Sequence, residues 1–183
     1  MKEWQKIHFN LLVDSIIDEY HTINSAMKLK NKHIYGVALI TDSDGLTAYF
    51  CASTLESLHK KHKGLKWVPY GWQITNKEDA VKKNSLPYFA KKHIDYYNEF
   101  IVPRFSNSDY DYSSDFLDNI EMFTLAMKVA KQRLITDCGE EINNIIFLVS
   151  ISGDDELTVN SAEIINSDSI MYRDFLEFYK SLS

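Results

Sequence analysis

The sequence predicts an α+β fold: a mainly antiparallel sheet built from two hairpins, packed with several helices. Three observations carry that expectation. Apolar residues recur in steps of three and four over residues 4–27, 89–101 and 116–134, the stripe of an amphipathic helix. Two runs rich in β-branched and aromatic residues, 33–40 and 145–151, lack that period and read as strands. A glycine-bearing turn follows each run, Asp44-Gly45 in the first case and Gly153-Asp154 in the second, and a further apolar segment follows each turn. Hairpins separated by helices are the signature of an antiparallel sheet with helices laid against it.

The elements follow in order. Trp4, Ile7, Leu11, Leu12, Ile16, Tyr20, Ile23 and Met27 mark a long first helix that ends in the polar stretch Lys28 to Lys32. His33 to Ile40 and Leu46 to Ala52 form the first hairpin, because Gly45 tolerates the positive φ of a tight turn. Ser53 and Glu56 stand at capping-box spacing before a short helix reaching about Lys63, where Gly64 stops it. The aromatic-rich segment Lys66 to Ile74 reads as a third strand, with Pro69 placing it at an edge or a bulge. Phe89, His93, Tyr96, Tyr97, Phe100 and Ile101 restore helical spacing until Pro103. Phe116 to Leu134 mark another long helix, closed by Gly139. Ile145 to Ile151, the most apolar run, is the candidate central strand, with Leu157 to Ile164 as its hairpin partner. Ile170, Phe175, Leu176, Phe178 and Tyr179 predict a closing helix.

Bulk composition excludes several classes. At 183 residues the chain is long enough for one ordinary domain, residues 1–183, with a sizeable core. A hydrophobic content of 45% beside 25% charged residues is that of a water-soluble globular protein. Nothing approaches the roughly 20 apolar residues of a membrane span, and the N-terminal residues do not read as a secretory signal. Cys51 and Cys138 are too few for a disulfide framework, so the expected address is the cytoplasm.

No motif points to catalysis or to a cofactor. Nucleophile-elbow, Walker and dinucleotide-binding glycine patterns are absent from the sequence. His59 and His62 lie three apart but among Lys60, Lys61 and Lys63, whose charges repel a cation, so no metal site is expected there. Asp42-Ser43-Asp44-Gly45 begins like a calcium loop but lacks its terminal Glu, and a plain hairpin turn is the better reading. Cys138 sits among Asp137, Glu140 and Glu141, which disfavour a thiolate, and Cys51 falls on an apolar strand. Trp67, Tyr70 and Trp72 have two readings: aromatic residues packed into the core, or the wall of a small-ligand or enzyme pocket.

Charge is divided unevenly along the chain. Residues 1–105 hold 15 Lys/Arg and 11 Asp/Glu, whereas residues 106–183 hold 5 and 15, for a formal net charge of −6. That balance opposes binding to nucleic acid or anionic lipid and favours a basic protein partner. The densest acidic stretch, Ser106 to Glu121, contains no basic residue and interleaves Tyr110, Tyr112 and Phe116 with its carboxylates. Asp115 and Asp118 suit a helix start, where they complement the macrodipole. Asp109, Tyr110, Asp111 and Tyr112 combine charge with rigid aromatic area, as protein-binding hot spots do. Two readings stay open: a solvated loop, or an interface made of Asp109, Tyr110, Asp111, Tyr112, Asp115 and Asp118.

Several segments, taken in order, resemble the bacterial domain-of-unknown-function family 4303. They are Tyr35-Gly36-Val37-Ala38-Leu39-Ile40-Thr41-Asp42-Ser43-Asp44-Gly45, then Trp67-Val68-Pro69-Tyr70-Gly71-Trp72, then Ser161-Ala162-Glu163-Ile164-Ile165-Asn166. In that family an acidic residue often precedes the second Trp, where this chain has Gly71. The resemblance implies no catalytic residue and no cofactor. It implies a small domain similar in character to immunity proteins of bacterial toxin systems, which cover a basic toxin, often a nuclease, with an acidic, aromatic surface.

Overall fold

Eight consecutive residues, Ile34–Thr41, are buried along their whole length, and they form the centre of the sheet. This strand, β1, pairs antiparallel with β2 (Tyr49–Thr54) and parallel with β3 (Ile146–Ile151), in the order β2-β1-β3. The structure is a computed structural model that describes residues 1–58, 66–75, 85–166 and 169–181. Those residues also form six helices: α1 (Glu3–Lys28), α2 (Leu55–Leu58), α3 (Leu86–Tyr96), α4 (Ser113–Cys138), α5 (Asp155–Asn166) and α6 (Ile170–Lys180).

Both faces of the sheet are covered. Val37, Leu39, Phe147 and Val149 belong to the larger core, with the buried stripes of α1, α3 and α4. Ala38, Ile40, Ile146 and Leu148 belong to the second core, with Trp67, Trp72 and α6 residues Tyr172 and Phe175. A register shift between Ile34 and Gly36 interrupts the alternation, and Tyr35 joins the second core where strict period-two spacing would place it in the first. Gly36 is required by packing: a Cβ there would lie 2.6 Å from Cη2 of Trp72.

Sequence and structure agree on both long helices and their stops. α1 ends in a Schellman motif, with Lys32 N–H donating to Met27 O and Asn31 N–H to Lys28 O, both at 3.0 Å. Asn31 takes the left-handed position (φ 52°), which asparagine tolerates better than most residues. Gly139 ends α4 at φ 98°, its N–H donating to Ile135 O. The first hairpin also forms, around a turn in which Asp42 Oδ1 accepts the N–H groups of Asp44 and Leu46.

The second hairpin does not form, and the sheet is mixed, with a parallel β1–β3 pair replacing half of the expected antiparallel pattern. The segment read as its return strand, Leu157 to Ile164, lies within α5. Asp154 is the reason at the start of the helix: its Oδ1 accepts Leu157 N–H at 2.8 Å, and Asp155 and Glu156 fill the first turn, where the helix dipole favours acids. Ile146–Ile151 is consequently an edge strand and β1 the central one. The segment 66–74 is no strand either: Pro69–Gly71 form a 3-10 turn, and only Ile74 makes a bridge, to Ala52. α3 ends at Tyr96, ahead of Pro103, and the chain continues as a π-helical turn (Tyr97–Ile101) and then a 3-10 turn that contains Pro103 (Val102–Ser106). The expected short helix starts as α2 at Leu55; its continuation to Lys63, with His59, His62 and Gly64, lies outside the described residues.

An exposed edge strand offers unpaired N–H and C=O groups to any neighbour. Here α5 covers that edge with polar side chains. Thr158 Oγ1 accepts Ile151 N–H (3.0 Å), and Ser161 Oγ accepts Val149 N–H (3.0 Å) while lying 2.9 Å from Val149 O. Asn166 completes the series: Oδ1 accepts Phe147 N–H at 2.9 Å and Nδ2 donates to Phe147 O at 2.6 Å. Lys131, buried on α4, donates to Asn166 Oδ1 (2.8 Å) and Ile145 O (3.2 Å), and burial pushes its ammonium down to about 8.

Candidate partner-binding surface

The extension of α3 beyond residue 96 decides what the acidic segment sits beside. A π turn followed by a 3-10 turn rotates successive side chains away from the α-helical stripe, so Phe100, Val102 and Phe105 point outward, each about 43–50% exposed. The chain then turns back, with Asn107 N–H donating to Arg104 O and Tyr110 N–H to Asn107 O. That return folds the acidic loop onto the aromatic ledge. Phe105 packs edge-on against Tyr110 at 5.3 Å and Tyr97 at 6.3 Å, and tilted against Tyr112 at 6.1 Å between ring centroids. Tyr97 and Tyr112 meet at 5.7 Å, and Phe100 stacks on Tyr96 at 5.4 Å. Arg104 lies 5.9 Å from the Tyr110 ring.

The six acidic-segment residues divide by environment. Asp109 and Asp111 are exposed. Asp111 is held below the usual carboxylate range by the backbone N–H and the hydroxyl of Ser113, at 2.9 and 2.7 Å. Tyr110 and Tyr112 are half-buried, with one ring edge in the cluster and the hydroxyls engaged: Tyr110 donates to Asp115 Oδ2 (2.7 Å) and Tyr112 to Asp44 O (2.8 Å). Burial and then the hydrogen bond to Asp115 push the Tyr110 phenol up to about 12. Asp115 is turned inward, 3% exposed, with Lys2 Nζ at 2.5 Å. Asp118 is half-buried and pairs with the Met1 amino group (3.1 Å) and Lys2 (3.7 Å). These two carboxylates anchor the N-terminal end of α1 and are not presented to solvent as Asp109 and Asp111 are.

Beneath the ledge the packing is polar and only partly paired, with Gln5 Oε1 and His93 Nδ1 buried without a hydrogen-bond partner among the described residues. Gln5 Nε2 donates to Asn119 Oδ1 at 2.9 Å in the interior. His93 is buried against Trp4, Phe89 and Phe123, and burial pushes it down to about 4, so it is neutral at physiological pH. The charge displayed here comes from Asp44, Glu99, Asp109 and Asp111, with Arg104 as the exposed cation of the same segments. The internal hydrogen bonds preset the loop, which lowers the ordering cost of binding.

Tyr97, Phe100 and Phe105 are the surface residues that spacing alone missed. Tyr97 and Phe100 fit an α-helical apolar stripe and were expected to face the core. The available signal was Pro103, which cannot continue an α-helix and forces the turn that exposes the rings. Trp67 and Trp72 go the opposite way. They are 3% and 5% exposed, packed at right angles around Tyr35 and Phe175, with Trp72 Nε1 and Tyr35 OH both donating to Lys66 O. Tyr70 alone of that trio is exposed. A filled core occupies the position where the small-ligand reading required a cavity. Cys51 is buried, and burial pushes its thiol up to about 12.

Among the described residues no cluster of three His, Cys, Asp or Glu side chains is placed to hold a metal, and no helix is long and apolar enough to cross a membrane. No protein-family model, curated protein or solved structure matches this chain. The reading of function therefore rests on the surface itself.

Proposed function

We propose that this protein is a non-catalytic binding protein that captures a basic protein through the aromatic ledge of Tyr97, Phe100 and Phe105 and the carboxylates of Asp109 and Asp111. One observation carries the reading: exposed Phe105 packs with half-buried Tyr97, Tyr110 and Tyr112, and exposed Phe100 stands on the same turn as Tyr97, beside a loop whose own hydrogen bonds hold it in place and which carries exposed carboxylates. Rigid aromatics supply contact area at small entropic cost, and the surrounding carboxylates steer a cationic partner and set its orientation. The partner class that fits best is a bacterial toxin domain with a basic active-site cleft, such as a nuclease, with the present protein acting as its immunity protein. The acidic, aromatic character of the ledge supports that assignment; the resemblance to family 4303 suggested it from the sequence.

The experiment compares tagged wild-type protein with the variant Phe100→Ser/Phe105→Ser/Asp109→Asn/Asp111→Asn as baits in lysate of the source cells. The expected result is a basic protein retained by the wild type, released as salt rises, and absent from the variant. Co-expression of the captured protein should then harm cells carrying the variant and spare those carrying the wild type. Retention of the same protein by both baits, or equal protection by both, would overturn the proposal.

A further inference from the structure

At the opposite end of α1, roughly 30 Å along the helix axis from the ledge, the structure contains a cleft of about 470 Å³. Its volume falls within the few-hundred to about 1,000 Å³ typical of small-molecule sites. Tyr20 and Met171 on α1 and α6, with Ile34 and Ile145 at the starts of β1 and β3, make an apolar floor. Polar groups sit around it in one arc: Asn24 and Lys28 on α1, Asn31, Lys32 and His33 in the connection to β1, and Asn144 and Glu141 in the turn before β3.

The charges of this arc are unequally matched. Glu141 lies 3.7 Å from Lys28. His33 is held by Glu56, its Nδ1 at 2.8 Å from Oε1 and its backbone N–H at 3.0 Å from Oε2, a pairing that pulls Glu56 down to about 2. Lys32 has no carboxylate within ion-pair distance among the described residues. The Schellman motif fixes the backbone of residues 27–32, so the Asn31 amide and the Lys32 stem start from a set geometry rather than a mobile loop. Three carboxamides, an unmatched ammonium and an apolar floor complement a molecule with an anionic head and a flat or short apolar body.

We propose that this cleft binds a small amphipathic organic anion, with the apolar body between Tyr20, Ile34, Ile145 and Met171 and the anionic group at Lys32 and Lys28. The site is separate from the partner-binding ledge and stands or falls independently of it.

The probe is 8-anilinonaphthalene-1-sulfonate, an apolar ring system bearing one anionic group, titrated by fluorescence against the full chain. Wild type should bind one equivalent, with shifts of the Asn24, Asn31 and Asn144 side-chain amides in nitrogen–proton correlation spectra. Lys28→Glu/Lys32→Glu, which alters only exposed side chains, should weaken binding by about tenfold or more, since charge reversal replaces attraction by repulsion. Asn24→Trp, placed on the half-buried wall, should fill the cleft and abolish the one-site signal. Uncharged N-phenyl-1-naphthylamine should bind about tenfold more weakly than the sulfonate, because it lacks the group that Lys32 recognises. Phe100→Ser/Phe105→Ser should leave the titration unchanged. An affinity within twofold of wild type in both the charge-reversed and the filled variants would overturn the proposal. So would loss of the signal in the Phe100/Phe105 variant, which would place the dye on the ledge.

Discussion

Replacing Asn166 by Ala tests whether helix α5 acts as the missing neighbour of strand β3. The carboxamide makes four hydrogen bonds in the interior: from Phe147 N–H and Lys131 Nζ to its Oδ1, and from its Nδ2 to Phe147 O and Ala162 O. Removing it strands the N–H and C=O of Phe147 on a fully buried strand and leaves Lys131 with Ile145 O alone among its hydrogen-bond partners. Each buried backbone group left unpaired costs about 1–3 kcal/mol. The expected loss is therefore about 4 kcal/mol, a large share of the roughly 5–15 kcal/mol of a typical domain.

Equilibrium urea unfolding followed by far-UV circular dichroism measures this change. With a slope of about 2 kcal/mol per molar, the midpoint should fall by about 2 M. Asn160→Ala, at an exposed position of the same helix, should move it little. Hydrogen exchange adds a spatial test. The amides of Phe147, Val149 and Ile151, which bond to α5, should lose protection before those of Leu148 and Ser150, which face β1. A loss under about 1 kcal/mol, or uniform deprotection of the strand, would refute the idea that these side chains serve as its edge partner.

Two further outcomes follow from the same interior. Lys131 titrates at about 8 in the fold against 10.5 ordinarily, so between those values the unfolded chain holds a proton that the native state has released. Stability should accordingly rise with pH across that window, by about 3 kcal/mol in all. Lys131→Met should remove the rise in urea titrations run from pH 7.5 to 10, and an identical slope in both proteins would contradict it. At Gly36, the added methyl of Gly36→Ala meets Trp72 Cη2 at 2.6 Å and Ile146 Cγ2 at 3.1 Å, for an expected loss of about 2 kcal/mol. Trp72→Phe removes the clashing atom, so the double variant should be less destabilised than the two losses added together, and strict additivity in a thermal-melt cycle would count against the contact.

Where sequence reading succeeded and failed has a physical explanation. α1, α4 and α6 bury apolar stripes, so the 3.6-residue period is visible in their apolar residues. β1 is flanked by strands on both sides and covered on both faces, which leaves a continuous apolar run and a glycine turn as its signature. α5 has the same helical period, but the residues it buries include Thr158, Ser161 and Asn166. Its buried stripe is partly polar because it faces a strand edge instead of an apolar face. Leu157, Val159 and Ile164 then imitate a strand, although Asp154-Asp155-Glu156 carried the N-cap signal of a helix.

The candidate surface was half legible for a similar reason. The concentration of Asp109, Tyr110, Asp111 and Tyr112 is a property of the chain itself, because neighbours in sequence remain neighbours in space. Its dependence on Tyr97, Phe100 and Phe105 required the π and 3-10 turns, whose side-chain directions no simple period describes. Asp115 and Asp118 show the converse: they share the acidic segment, but helical geometry turns them toward Lys2 and the N-terminal end of α1.

Local chemistry alone therefore determined the long helices, the first hairpin and the Gly139 stop, since each depends on residues a few positions apart, and the charge asymmetry is a matter of composition. Tertiary structure decided the rest: the parallel placement of β3, the pairing of its edge by α5, and the division of carboxylates between interior and surface. These outcomes depend on which polar groups find partners, from seven residues away for Thr158 and Ile151 to more than a hundred for Asp115 and Lys2, and a local period of apolar residues does not record them.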